Sequence, residues 1–171
     1  MKKLIAILSI LTINFTFSSC GGSKEESAES LKIDTKDVKG TINAGDASVG
    51  TTNLHNNDGE FEVPKIEIGK CKMMIVPTKK SFEEEWTLIQ NNANSFDGTL
   101  KEIEKKDGAI LYHEKSEFMD KVTEGYNFLV VIKGDGQNYL IKGEGENPFA
   151  PIESKEDAEN AFKIAQSFKP E

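Results

Sequence analysis

The sequence predicts an α+β domain in which an antiparallel sheet of about five strands is covered by two amphipathic helices, following a signal peptide and a flexible tether. Three observations carry this. Two segments place apolar residues at helical spacing behind a capping residue, at 82–94 and after Ser154. Short runs rich in β-branched and aromatic residues are joined by turns too short for parallel crossovers. The start of the chain separates by composition into an apolar run and then a polar stretch without an aromatic residue. The resulting organisation is a signal segment at 1–19, a tether at 20–60 and a globular domain at 61–171.

Lys2 and Lys3 precede an apolar run at 4–17, and Ser18 and Ser19 put small residues directly before Cys20. That order is a secretory signal; the run is shorter than the roughly 20 residues needed to span a bilayer. Residues 21–60 are rich in Ser, Thr, Lys, Asp, Glu, Asn and Gly, so they are expected to bury too little to offset their ordering entropy. From Phe61 the pattern becomes strand-like through Val63, Ile66, Ile68, Cys71, Met73 and Ile75, with a break at Gly69-Lys70 that marks a hairpin or a bulge.

Ser81 followed by Glu84 forms a capping box, and Phe82, Trp86, Ile89 and Ala93 make the stripe of the first helix. Asp97-Gly98 and Asp107-Gly108 are turn signals that bracket a strand at 99–104, and a firmer strand follows at 109–113. Residues 116–124 read as a helical turn or an ordered loop. The strands at 126–132 and 137–142 form a hairpin across Gly134-Asp135-Gly136. Gly143, Gly145, Pro148 and Pro151 then forbid regular structure before Ser154 caps the last helix, whose stripe is Ala158, Ala161, Phe162, Ala165 and Phe168.

Phe17-Ser18-Ser19-Cys20 resembles the lipobox of bacterial lipoproteins, with Phe17 where a leucine is commonest. The resemblance implies that Cys20 becomes the first mature residue and carries acyl chains, which anchor the domain at about 0.8 kcal/mol per buried methylene. Gly21 is not the aspartate that retains such proteins in the inner membrane of enterobacteria-like systems, so an outer-membrane address is implied. Ser23-Lys24-Glu25-Glu26 is similar to the acidic export signal of surface lipoproteins in the Bacteroidota, which implies exposure at the cell surface.

Without residues 1–19 the chain carries 19 lysines against 29 acids, a net charge of −10, and it has no arginine. Bidentate recognition of phosphate and the commonest guanine contact are arginine chemistry, so nucleic acid is excluded as a partner class. The same acidity disfavours adsorption to anionic lipid, which leaves the lipid on Cys20 as the membrane contact. Cys71, the second cysteine, then has no disulfide partner and reads as a small buried hydrophobe.

The candidates for chemistry are few. His55 lies in the tether, and His113 shares a strand face with Leu111 and not with Glu114. No nucleotide, metalloprotease, serine-hydrolase or paired-cysteine motif is present, so no cofactor and no metal site are predicted. Gly143 to Asn147 lacks the dense acid spacing of a calcium loop. The expected functional surface is the loop carrying Pro148, Phe149 and Pro151, where an apolar residue would sit on a rigid scaffold.

The order of elements and the closing AFKIAQSFKP are similar to domains of the PsbP and DcrB type, over at most 66–170. The family's usual Pro-x-x-Trp start is absent, and the resemblance transfers no functional residue; it implies a non-catalytic accessory or assembly role. The functional expectation is an outer-membrane-anchored binding domain that docks onto another envelope protein. An immunity or inhibitor protein against a toxin, and a small-ligand carrier, are the alternatives.

Overall fold

The computed structural model describes residues 30–56, 59–95, 97–118, 121–146 and 150–171. These form ten strands and two helices in the order β1 (Ser30–Asp34), β2 (Lys39–Asn43), β3 (Ser48–Asn56), β4 (Gly59–Ile68), β5 (Cys71–Thr78), α1 (Phe82–Ser95), β6 (Thr99–Lys106), β7 (Ala109–Phe118), β8 (Lys121–Lys133), β9 (Asn138–Glu144), α2 (Lys155–Gln166) and β10 (Lys169–Pro170). Seven strands make one sheet in the order β3-β4-β5-β9-β8-β7-β6, and a second sheet runs β1-β2-β10. Every pairing is antiparallel.

This overturns the expected five-stranded sheet covered by two helices. The main sheet has seven strands, and the small sheet adds a second β element. Two segments account for the difference. Residues 30–60, read as part of the tether, contain β1, β2, β3 and the start of β4. The second is 116–124, read as a helical turn or loop, where β7 runs on to Phe118 and β8 begins at Lys121. Lys121 to Glu124 are all exposed, so no burial alternation marks them as a strand.

In β1, β2 and the turn between them the apolar positions are few but decisive. Ile33, Val38 and Ile42 are each at most 1% exposed, in one core cluster with Phe162 and Phe168 of the C-terminal segment. Their burial depends on residues more than a hundred positions away, which is why local composition reads as polar. The turn between β1 and β2 is also fixed to β4. Thr35 donates from its hydroxyl to the Glu62 carbonyl (2.9 Å), and the Asp37 carboxylate accepts from the Glu62 N–H (2.7 Å). β5 pairs with β4 only as far as Lys65 opposite Met74, so this turn replaces β5 as the neighbour of β4 at Glu62.

The two faces of the main sheet bury different partners. On one face Ile66, Met73, Ile75, Leu111, Phe128, Val130 and Ile141 pack with α2 and the small sheet. Alanines at 158, 161 and 165 let α2 approach, and Phe162 meets Phe128 with ring centroids 5.9 Å apart. On the other face Phe82 and Trp86 of α1 cover Ile110, Tyr112, Leu129, Val131 and Leu140. The alternation of side chains along each strand separates the two cores.

Candidate functional site

The stripe of α1 tapers along its length. Its first turns seat Phe82 and Trp86 on the sheet, and the Trp86 ring packs at a tilt against Tyr112 with centroids 5.1 Å apart. The last turns present only Ile89 and Ala93, and the helix ends where Gly98 donates its N–H to the Ala93 carbonyl (2.8 Å). A Cβ on Gly98 would lie 2.9 Å from that oxygen, so glycine permits the close return of the chain. Because the stripe shrinks from indole to methyl, the side chains of α1 leave space over the sheet unfilled at its C-terminal end. The space beneath it is a groove of about 710 Å³.

The floor of the groove is polar where the floor under Trp86 is not. Tyr112 and Glu114 of β7, Asn127 of β8, and Lys142 and Glu144 of β9 line it, between apolar walls of Ile89, Ala93 and Leu100. Tyr112 stands opposite Asn127 in the β7–β8 register, so strand pairing brings these groups together. Glu114 is half-buried, and loss of solvent raises its pKa above the ordinary carboxylate value of 4.5. A side-chain hydrogen bond from Asn127 and the charge of His113 oppose that rise. Asn127 Oδ1 is buried without a hydrogen-bond partner among the described residues. Burial also raises the Tyr112 phenol far above its usual range, so it stays protonated.

Lys142 links the groove to a second buried acid. Glu85, 4% exposed, accepts from the Thr78 hydroxyl at 3.2 Å and lies 3.8 Å from Lys80 Nζ and 3.7 Å from Lys142 Nζ. Two lysines and a hydroxyl thus compensate a carboxylate enclosed under α1. Glu114 has no ion-pair partner among the described residues. The arrangement offers hydrogen-bonding groups of both signs beside apolar walls, within the size range of small-ligand sites.

Residues expected to be functional fall elsewhere. Cys20, Pro148 and Phe149 lie outside the described residues. Pro151 is buried beside Gly125 and Gly145, so it is packing and not an exposed docking residue. Ala150 from the same connection does reach the rim of the groove. His113 lies on the face away from Glu114, as alternation requires, with Nε2 3.4 Å from Glu124 and its ring 5.1 Å from that of Tyr126. His55 is exposed on β3, 3.5 Å from Glu60.

Sequence reasoning missed Glu114, Asn127 and Glu85. The signal for Glu114 was parity, since an acid two positions after Tyr112 falls on the face of Ile110 and Tyr112. Cys71 is 1% exposed, and burial pushes its thiol pKa up to about 11. No group of three His, Cys, Asp or Glu side chains placed to hold a metal ion occurs among the described residues. No family model, curated protein or solved structure matches the chain.

Proposed function

We propose that this chain is a lipoprotein anchored to the outer membrane through Cys20, with a non-catalytic binding domain whose site is the groove under the C-terminal half of α1. The anchor rests on the resemblance of Phe17-Ser18-Ser19-Cys20 to a lipobox. The single observation that carries the binding role is the groove itself: about 710 Å³ over a polar floor with a half-buried carboxyl. A site of this kind takes a small ligand with an apolar body and a polar head, or the side chain of an envelope partner that offers the same chemistry. Of the readings open from the sequence, a small-ligand carrier is the one the groove favours. The charged groups around it set orientation, and Ile89 and Leu100 supply apolar contact.

A groove-filling substitution tests this. In amide NMR spectra, a library of small amphiphiles should shift Ala93, Tyr112 and Asn127, and Ala93→Phe should abolish those shifts while leaving α2 resonances in place. Shifts that survive Ala93→Phe, or that map to another surface, would remove the groove from the proposal. The anchor has its own readout. Cys20→Ala should end incorporation of labelled palmitate and move the protein out of the membrane fraction.

A further inference from the structure

The sheet around Glu114 supplies it with no counter-ion. On a strand, the side chains that can neutralise an acid stand directly across on the neighbouring strands or two positions along on its own. Across from Glu114 the register places Leu100 on β6 and Gly125 on β8. Along β7 the same face continues through Tyr112 and Ser116. None of these four carries a positive charge.

The lysines that line the groove are committed elsewhere. Lys142 stands across from Leu129, which stands across from Ile110, so it lies two strands over from Glu114 and four residues along. Its ammonium is 3.7 Å from Glu85. Lys115 follows Glu114 in β7 and so alternates to the opposite face, with Nζ 3.4 Å from Glu124. What remains on the groove floor is a half-buried carboxyl whose charge is poorly solvated, which is why its pKa is raised. A carboxylate offers about four acceptor positions, and Asn127 fills one of those on Glu114. Glu144 lines the same groove, and the chain carries a net charge of −8, so the field draws cations in and repels anions.

We propose, building on the groove as the binding site, that its ligand is a primary amine with an apolar body, the ammonium seated on Glu114 and the body along Leu100, Ile89 and Ala93. The head supplies the counter-ion that the sheet omits, and its three N–H donors match the open acceptor positions. Leu100 stands directly across from the acid, so apolar contact begins one strand away from the charge. A carboxylate head meets repulsion there, and a neutral head gains a hydrogen bond without the charge.

Probes of one shape separate these heads: 2-phenylethylamine, protonated at neutral pH, 2-phenylethanol, and 3-phenylpropanoate. Each is titrated into the full chain at neutral pH and about 0.15 M salt, where exposed charges beyond about 8 Å are screened, and binding is read from the amide shifts of Ala93, Tyr112 and Asn127. The amine should bind on the order of tenfold more tightly than the alcohol, and the acid should not bind. Glu114→Gln should bring the amine down to the level of the alcohol and leave the alcohol's affinity in place, whereas a structural effect would weaken both. Leu100→Lys builds a cation across from Glu114; it should also remove the amine's advantage, and it stands in if Glu114→Gln does not fold. Equal binding of the amine and the alcohol in the groove, or a preference for the acid, would overturn the ammonium assignment and leave the groove as the site. An amine preference that survives both substitutions would overturn it as well. No shift from any probe would remove the groove reading together with this one.

Discussion

Glu114 carries a pH signature that can be read without a ligand. Burial raises its pKa in the folded chain, so the folded state holds the proton more firmly than the unfolded one. Its effect on stability is absent below the ordinary value of 4.5, and stability then falls as pH climbs from there through the raised value. Glu114→Gln keeps the shape and removes the charge. Urea unfolding between pH 4 and 8 should show a flatter profile for the variant and greater stability at neutral pH; an unchanged slope would mean that the carboxyl is solvated. Cys71 makes a second residue-scale prediction. With its thiol pKa near 11 and its side chain enclosed, native protein at pH 8 should react with thiol reagents on the order of 100-fold more slowly than unfolded chain. Rapid labelling of native protein would contradict that burial.

At the scale of the element, α1 is set by its first residues. The Ser81 hydroxyl accepts from the Glu84 N–H at 3.3 Å, and the Glu84 carboxylate accepts from the Ser81 N–H at 2.7 Å. The Ser81 N–H and the Ser81 hydroxyl, which also donates to the carboxylate at 2.8 Å, hold the Glu84 pKa below its usual value. Ser81→Ala should cost about 1 kcal/mol in chemical denaturation. Because α1 forms the roof of the groove, the same change should increase hydrogen exchange through its first turn. This helix was legible in the sequence because capping and stripe are local, and α2 was legible for the same reason, with Ser154 accepting from the Asp157 N–H at 3.3 Å. The β4–β5 and β8–β9 hairpins were legible through their glycine turns. β1 and β2 were not, since Ile33 and Ile42 are apolar residues in polar company whose burial is supplied by the far end of the chain. The groove was legible only in part: the sequence displays the taper from Trp86 to Ala93, but pairing of β7 with β8 is what sets Asn127 beside Tyr112 and Glu114.

For the molecule as a whole, one sheet serves two cores, and this predicts how it unfolds. Phe162 and Trp86 lie on opposite faces and share no cluster. Phe162→Ala should destabilise by roughly 3–5 kcal/mol, and the Trp86 fluorescence midpoint should fall together with the circular dichroism midpoint. A fluorescence midpoint that stays in place would mean that the two faces melt separately. The small sheet has a different consequence, a mechanical one. β1 leads in from the N-terminal side, β10 closes the C-terminal side, and β2 pairs with both. If the chain hangs from Cys20, drag on the domain enters at Ser30 and loads five-residue β1, which is held to the main sheet by the packing of Ile33 in the shared core and by the bonds of Thr35 and Asp37 to Glu62. The roof of the groove lies off that path, so under the proposed anchoring a pull from the N-terminal side would strain the small sheet and leave α1 seated over the groove.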